Sequence, residues 1–173
     1  PSSFWITSLE LILIALGSID GITVLQMAAA YAAFGNGGTY IEPYSFTKIE
    51  YSDTGDVYEV KPKKVEVMSE ETAYMISMIL KYAVTSGDVN CPSVSGTDIG
   101  AKTGTSTVDA AVKKSLGIKG ALVGDSWENI ISPDYAISIG YGYPSLSKDY
   151  WLSQPEAGRG RKGIAKGLVK ECG

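Results

Sequence analysis

Lys102-Thr103-Gly104-Thr105, led in by Gly100-Ala101, is the stretch on which the reading of this chain turns. A polar loop from Gly87 to Asp98, with Pro92 inside it, delivers the chain into the run, which predicts a strand. Each position has a use if that strand lies at the rim of a sheet. The Lys102 ammonium sets a positive potential and can help move a proton. Thr103 offers a hydroxyl donor. Gly104 lacks a β-carbon, so an extended ligand can come close and pair with the backbone as an added strand. The N–H of Thr105 can then face charge developing on an oxygen.

Working outward, the hydrophobic period switches between helix and sheet. Leu9, Leu11, Leu13, Ile14 and Leu16 predict a mostly apolar helix that stops at Gly17, with Ser18-Ile19-Asp20-Gly21 as the connection. Thr23 and Gln26 spell a capping box ahead of Met27-Ala28-Ala29-Ala30-Tyr31-Ala32-Ala33-Phe34. So alanine-rich a run, ended by Gly35-Asn36-Gly37-Gly38, predicts a helix packed closely on both sides. From Tyr44 to Tyr51 and Val57 to Val60 the alternation predicts a β-hairpin turning at Asp53-Thr54-Gly55-Asp56. Lys61, Lys63 and Lys64 around Pro62 predict a solvated edge.

Ser69 is expected to cap a helix reaching about Val84, with Glu70 and Glu71 in the first turn, where the dipole favours anions. Its inward face is predicted to be Ala73, Met75, Ile76, Ile79, Leu80 and Ala83. After the Lys-Thr-Gly strand, Gly120 to Gly124 and Tyr135 to Tyr143 predict two more strands. The tail from Arg159 to Cys172 reads as an amphipathic helix, with Ile164, Ala165, Leu168 and Val169 inward and Arg159, Lys162, Lys166 and Lys170 in solvent. The sum is an α+β fold, an antiparallel twisted sheet flanked by helices.

Bulk properties narrow the function. At 173 residues the chain suits one domain with a real core, since a domain near 150 residues buries roughly 68–70% of its unfolded surface. A net charge of −4 provides no basic field for a nucleic-acid backbone, so no nucleic-acid partner is expected. The chain has no histidine, which excludes a Ser-His-Asp triad and the commonest metal ligand. Cys91 and Cys172 show no zinc-site spacing, and no cofactor or metal is expected. The apolar run from Ile6 to Leu16 is interrupted by Glu10 and is far shorter than the ~20 residues of a membrane span, so no membrane contact by this segment is expected. With no Met at Pro1 and no leader pattern, the chain reads as a piece of a larger protein.

Lys-Thr-Gly is one of three elements of the serine acyl-transferases that react with β-lactams, beside a Ser-x-x-Lys and a Ser-x-Asn. The surroundings agree with it. Ala15-Leu16-Gly17, the block from Gly21 through Gln26-Met27 to Gly38-Thr39-Tyr40 and Pro43, and the block from Val67 to Met75 and on to Val84-Thr85-Ser86-Gly87 precede the strand. Asp125-Ser126-Trp127, Ser132-Pro133-Asp134-Tyr135 and Gly140-Tyr141-Gly142 come after it. Together they resemble the transpeptidase domain of class A penicillin-binding proteins, in its C-terminal portion. The wording departs from that family between Thr105 and Asp125 and again from Glu128 to Ile131.

The resemblance implies a partial penicillin-binding, serine β-lactamase-like fold, with residues 1–173 the C-terminal part of one transpeptidase domain. It implies a serine that attacks the penultimate D-Ala carbonyl of a peptidoglycan stem peptide ending in D-Ala-D-Ala, a reaction that β-lactam antibiotics intercept. Lys102 carries over as electrostatic and proton-relay partner, Thr103 and Thr105 as carboxylate binders, Gly104 as clearance, and the Thr105 N–H as half of an oxyanion hole. The nucleophile and the Ser-x-Asn would fall before Pro1, so this segment alone is expected to be inactive. The resemblance also places the domain on the extracytoplasmic face of a bacterial membrane, held by an N-terminal anchor outside this segment. Ser145-Leu146-Ser147-Lys148 spells the nucleophile motif, but after the strand and in a Pro144-led loop; Ser86-Gly87-Asp88 is a second decoy. The rival expectations are a β-lactamase or D,D-carboxypeptidase of the same fold, and a non-catalytic peptidoglycan-binding scaffold.

Overall fold

The computed structural model describes residues 22–172. The helix expected over Leu9 to Leu16 and its connection lie outside them. Helix α1 (Val24–Gly35) begins where the capping box directs: Thr23 Oγ1 accepts from the Gln26 N–H at 3.2 Å while Gln26 Oε1 accepts from the Thr23 N–H at 2.9 Å. The helix is not closely packed on both sides, as its composition predicts. Ala33 is its buried residue, and Leu25 is 65% exposed. Alanine raises helix propensity whether or not a helix is covered, so an alanine-rich run signals the element and overstates its burial.

Two short ladders come next. Strand β1 (Thr39–Ile41) pairs antiparallel with β4 (Lys64–Glu66), and between them β2 (Lys48–Glu50) and β3 (Val57–Glu59) form the predicted hairpin. Lys64 is solvated as expected, yet it sits in a ladder, opposite Ile41. Strand β4 is three residues with Val65 as its one apolar member, so no alternation marks it in the sequence. Helix α2 (Glu70–Thr85) starts at Ser69, whose Oγ accepts from the Thr72 N–H at 3.3 Å. Its inward stripe runs through Ala73, Ile76, Leu80 and Ala83, whereas Met75 and Ile79, expected inside, stand in solvent.

The main sheet has the order β5 (Gly100–Thr107), β6 (Leu122–Ile131), β7 (Ala136–Gly142), all antiparallel, with β8 (Leu152–Ser153) paired to the start of β6. Strand β6 runs well past Gly124, the end predicted from sequence. Asp125-Ser126-Trp127-Glu128-Asn129 carries polar groups toward both faces, which hides the period of two. A short helix, α3 (Ala110–Ser115), fills the β5–β6 connection.

Helix α4 (Gln154–Cys172) begins earlier than Arg159 and covers one face of the sheet. There Ala165 and Val169 join Ile99, Ala101, Ile130, Ile139 and Val89 in the principal core. Ile164 and Leu168, predicted inward, are 41% and 40% exposed. Helices α1 and α2 lie on the opposite face. The approach of α2 is set by Gly100, where an added β-carbon would stand 2.9 Å from Leu80 Cβ and 3.2 Å from the Lys81 nitrogen. On the α4 side, a β-carbon at Gly160 would stand 2.3 Å from Tyr141 Cε1, too close for any side chain there without a shift.

Candidate active site

Strand order leaves β5 at the rim of the main sheet. Its first residues, Gly100 and Ala101, are buried between helices, and from Lys102 onward it emerges into solvent. Which backbone groups face outward can be deduced from one hydrogen bond. Val108 N–H donates to Leu122 O at 3.3 Å across the ladder, and antiparallel strands alternate their amides, so the even-numbered residues of β5 point toward β6. Thr103 and Thr105 therefore turn their N–H and C=O groups off the sheet. Lys102 Nζ donates to Thr103 O at 2.5 Å, in keeping with that direction.

The register shift near this point leaves β5 regular. Thr105 pairs Ser126 and Thr107 pairs Val123, so the extra residue lies on β6, and Ser106 Oγ accepts from the Asp125 N–H at 3.0 Å to satisfy it. At Gly104 a β-carbon would meet only Trp127 Cβ, at an ordinary 3.7 Å. The protein's own packing does not demand glycine there.

Side chains divide between the two faces. Lys102 lies opposite Asn129 and Ser138, on the face shared with α1 and α2. Asn129 is buried and accepts from Ser138 Oγ at 2.7 Å; it also bonds Tyr31 of α1, whose phenol burial holds above its ordinary pKa against the opposing pull of that bond. Lys102 itself is exposed, and among the described residues its ammonium donates to Thr103 O alone. A cavity of about 310 Å³, lined by Phe34, Tyr74, Met78, Lys81 and Asp98 among others, opens at the Gly100 end of the strand and does not include Lys102. The lysine stands on an open rim.

Thr103 and Thr105 face α4. Thr105 Oγ1 accepts from Arg161 Nη1 at 3.1 Å, and the same nitrogen donates to the buried Ser126 Oγ at 2.6 Å. Arg161 Nε lies 3.8 Å from Oε2 of Glu128, a residue only 1% exposed whose Oε1 has no partner among the described residues. Burial raises the Glu128 carboxyl's pKa, and the cations of Arg161 and Lys162 pull it back. Cys91 nearby is pushed up to about 12, by burial first and then by the Glu128 charge.

The model of the penicillin binding protein transpeptidase domain matches residues 1–125. The chain is 39% identical over 126 residues to penicillin-binding protein 1A/1B of Bacillus subtilis, covering 73% of this chain and 14% of that protein. The chain belongs to the penicillin-binding protein transpeptidase family. Penicillin-binding protein 1A of Streptococcus pneumoniae is 31% identical over 71% of the chain, and the chain spans 17% of that protein. Among solved structures, penicillin-binding protein A of Mycobacterium tuberculosis as a penicillin G acyl-enzyme complex has a TM-score of 0.66 at 16% identity, over 96% of this chain and 35% of that one. The D,D-transpeptidase domain of an Eggerthella lenta peptidoglycan glycosyltransferase has a TM-score of 0.59 at 21% identity, over 86% and 32%. These likenesses carry the fold, a mixed helix and antiparallel-sheet architecture of the penicillin-binding kind.

Within the described residues of this transpeptidase-family chain, every Ser-x-x-Lys lies away from β5. Ser147 of the Ser145–Lys148 run accepts from the Asp149 and Tyr150 amides in a surface turn. Ser86 caps the end of α2, its hydroxyl donating to Asp88 at 2.8 Å. Ser45-Phe46-Thr47-Lys48 spells the motif too, a copy not singled out from sequence; it leads into the exposed hairpin, where Lys48 pairs with Glu50. Arg161 and Glu128 are likewise absent from the residues that sequence reasoning assigns to the site. A signal for the arginine exists: Ala157, Arg161, Ala165 and Val169 recur every four residues, which places it on the buried stripe of α4 and demands an acid beneath. Among the described residues no helix is long and apolar enough to cross a membrane, and no group of three or more His, Cys, Asp or Glu side chains could hold a metal.

Proposed function

We propose that this chain is the C-terminal part of one transpeptidase domain and forms the substrate-binding wall of a D,D-transpeptidase. The open rim of β5 supports this reading most directly: an exposed ammonium at Lys102, the Thr103 carbonyl and Thr105 N–H turned off the ladder, and a glycine between them that folding does not require. A stem peptide ending in D-Ala-D-Ala lies along this edge as an added strand. Its terminal carboxylate takes hydroxyl donors from Thr103 and Thr105, and its penultimate carbonyl points at the Thr105 N–H. A serine supplied by polypeptide outside this segment attacks that carbonyl. D-Ala departs, and an amine from a second stem releases the acyl group.

Lys102 stabilises negative charge at the nucleophile and carries a proton between the attacking and leaving sides. β-Lactams occupy the same edge. By this reading the segment alone is inactive, because catalysts of this type fall by orders of magnitude when the nucleophile is gone. The work takes place outside the cytoplasmic membrane, with the anchor carried by another part of the longer protein.

Fluorescent-penicillin labelling of the full-length protein tests the proposal. Labelling is expected in the wild type and is expected to fall at least ~100-fold in Lys102→Ala, with amide exchange of β5 unchanged, since losses of roughly 10²–10⁴ attend removal of a proton-relay group. An unlabelled wild type refutes the transpeptidase reading in favour of a binding scaffold. Label that is rapidly hydrolysed points to the hydrolase of the same fold.

A further inference from the structure

We infer that Arg161 is a positioning residue that makes this edge selective for a free carboxylate, acting through the hydroxyl of Thr105; the inference rests on the function proposed above. Arg161 Nη1 donates to both Thr105 Oγ1 and Ser126 Oγ. A hydroxyl that accepts from a guanidinium must send its own proton elsewhere, and Thr105 is exposed, which leaves that proton for a ligand's carboxylate. The guanidinium thus fixes the threonine as a donor, and its charge strengthens that donation.

Three features hold the arginine in place. It sits in the row of α4 between the buried Ala157 and Ala165, which aims its side chain at the sheet. Ser126, fully buried, receives its second proton. The Glu128 carboxylate, inaccessible to solvent, faces Nε. Replacing a buried ion pair by apolar side chains of similar volume is often neutral or stabilising, so stability alone does not account for the Arg161–Glu128 pair. With Lys102 on one face and Arg161 on the other, the strand carries cations on both sides of the carboxylate's position.

The test compares two substrates on the full-length protein: a D-Ala-ended thioester with a free terminal carboxylate, and the same compound as its carboxamide. Arg161→Ala is expected to lower kcat/KM for the acid about 10- to 100-fold, the range of one charge-assisted hydrogen bond, while the amide changes less than about threefold. Arg161→Lys should recover part of the acid's rate. In a Thr105→Val background the arginine substitution should add no further acid-over-amide loss. Equal losses for both substrates, or additive losses in the double variant, overturn the inference and leave a structural role. Should the wild type acylate neither compound, the proposed function fails by itself, and equilibrium binding of an acetylated Lys-D-Ala-D-Ala peptide against its amide decides the inference. A preference for the acid that disappears in Arg161→Ala sustains it, and equal binding of acid and amide refutes it.

Discussion

Gly100→Ala is the sharpest probe of how α2 and β5 fix the rim. The backbone at Gly100 lies outside the left-handed region, so alanine fits its dihedrals, and the loss of glycine's freedom in the unfolded chain should stabilise by about 0.5–1 kcal/mol. Packing opposes this. The new methyl would stand 2.9 Å from Leu80 Cβ, 3.2 Å from Ile131 Cγ1 and 3.2 Å from the Lys81 nitrogen, one contact closer than real β-carbons tolerate and two that force neighbours to give. Overpacking of that kind costs about 1–3 kcal/mol, so a net loss of up to roughly 2.5 kcal/mol is expected.

Leu80→Ala alone should cost about 2–5 kcal/mol, because Leu80 is 7% exposed and leaves a cavity. Trimming Leu80 keeps its β-carbon, so the closest clash eases only as α2 shifts into the space vacated. The double variant should therefore be about 0.5–1.5 kcal/mol less destabilised than the sum. Amide exchange of residues 100–107 in the full-length protein reads these differences locally, without requiring the whole chain to unfold in one step. If Gly100→Ala strengthens protection, or the two substitutions add, then the close approach of α2 does not set the strand's position.

Three other perturbations probe separate parts of the molecule. Thr23→Ala removes the hydroxyl that receives the Gln26 N–H and should weaken amide protection in the first turn of α1 by about 0.5–2 kcal/mol, leaving β5 untouched. Cys91, with its thiol pushed up to about 12, should react with iodoacetamide at about pH 8 more slowly than Cys172 when labelled sites are mapped by mass spectrometry. Glu128 behaves as any buried acid does: a folded-state pKa above the unfolded one means the folded protein binds the extra proton, so stability falls as pH rises from the unfolded value through the folded one. Glu128→Gln should flatten that part of the stability profile, measured as the urea midpoint between about pH 4 and 8; an unchanged slope contradicts a raised carboxyl.

Features whose physics is local are legible in the sequence. Capping residues at Thr23 and Ser69, the Asp53–Asp56 turn and the Lys-Thr-Gly strand each depend on neighbours within a few positions, and each appears where its residues place it. Facing direction is another matter, because it depends on what lies across the gap. Met75 and Ile79 are as apolar as Leu80, yet α2 turns Leu80 toward Gly100, where the missing β-carbon lets it approach, and the other two toward solvent. The same reasoning explains Arg161. Within α4 the recurrence of Ala157, Arg161, Ala165 and Val169 every four residues marks its position as inward, but only the register that sets Thr105 against Ser126, and Thr103 against Glu128, shows which groups it meets there. A charged residue therefore becomes part of the site through a pairing made 35 positions away in the chain, which no window of helical periodicity can contain. If Arg161→Ala left the thermal stability, the acid-over-amide ratio and the Glu128-dependent pH profile all unchanged, that inward position would be an accident of packing, and the rim would depend on β5 alone.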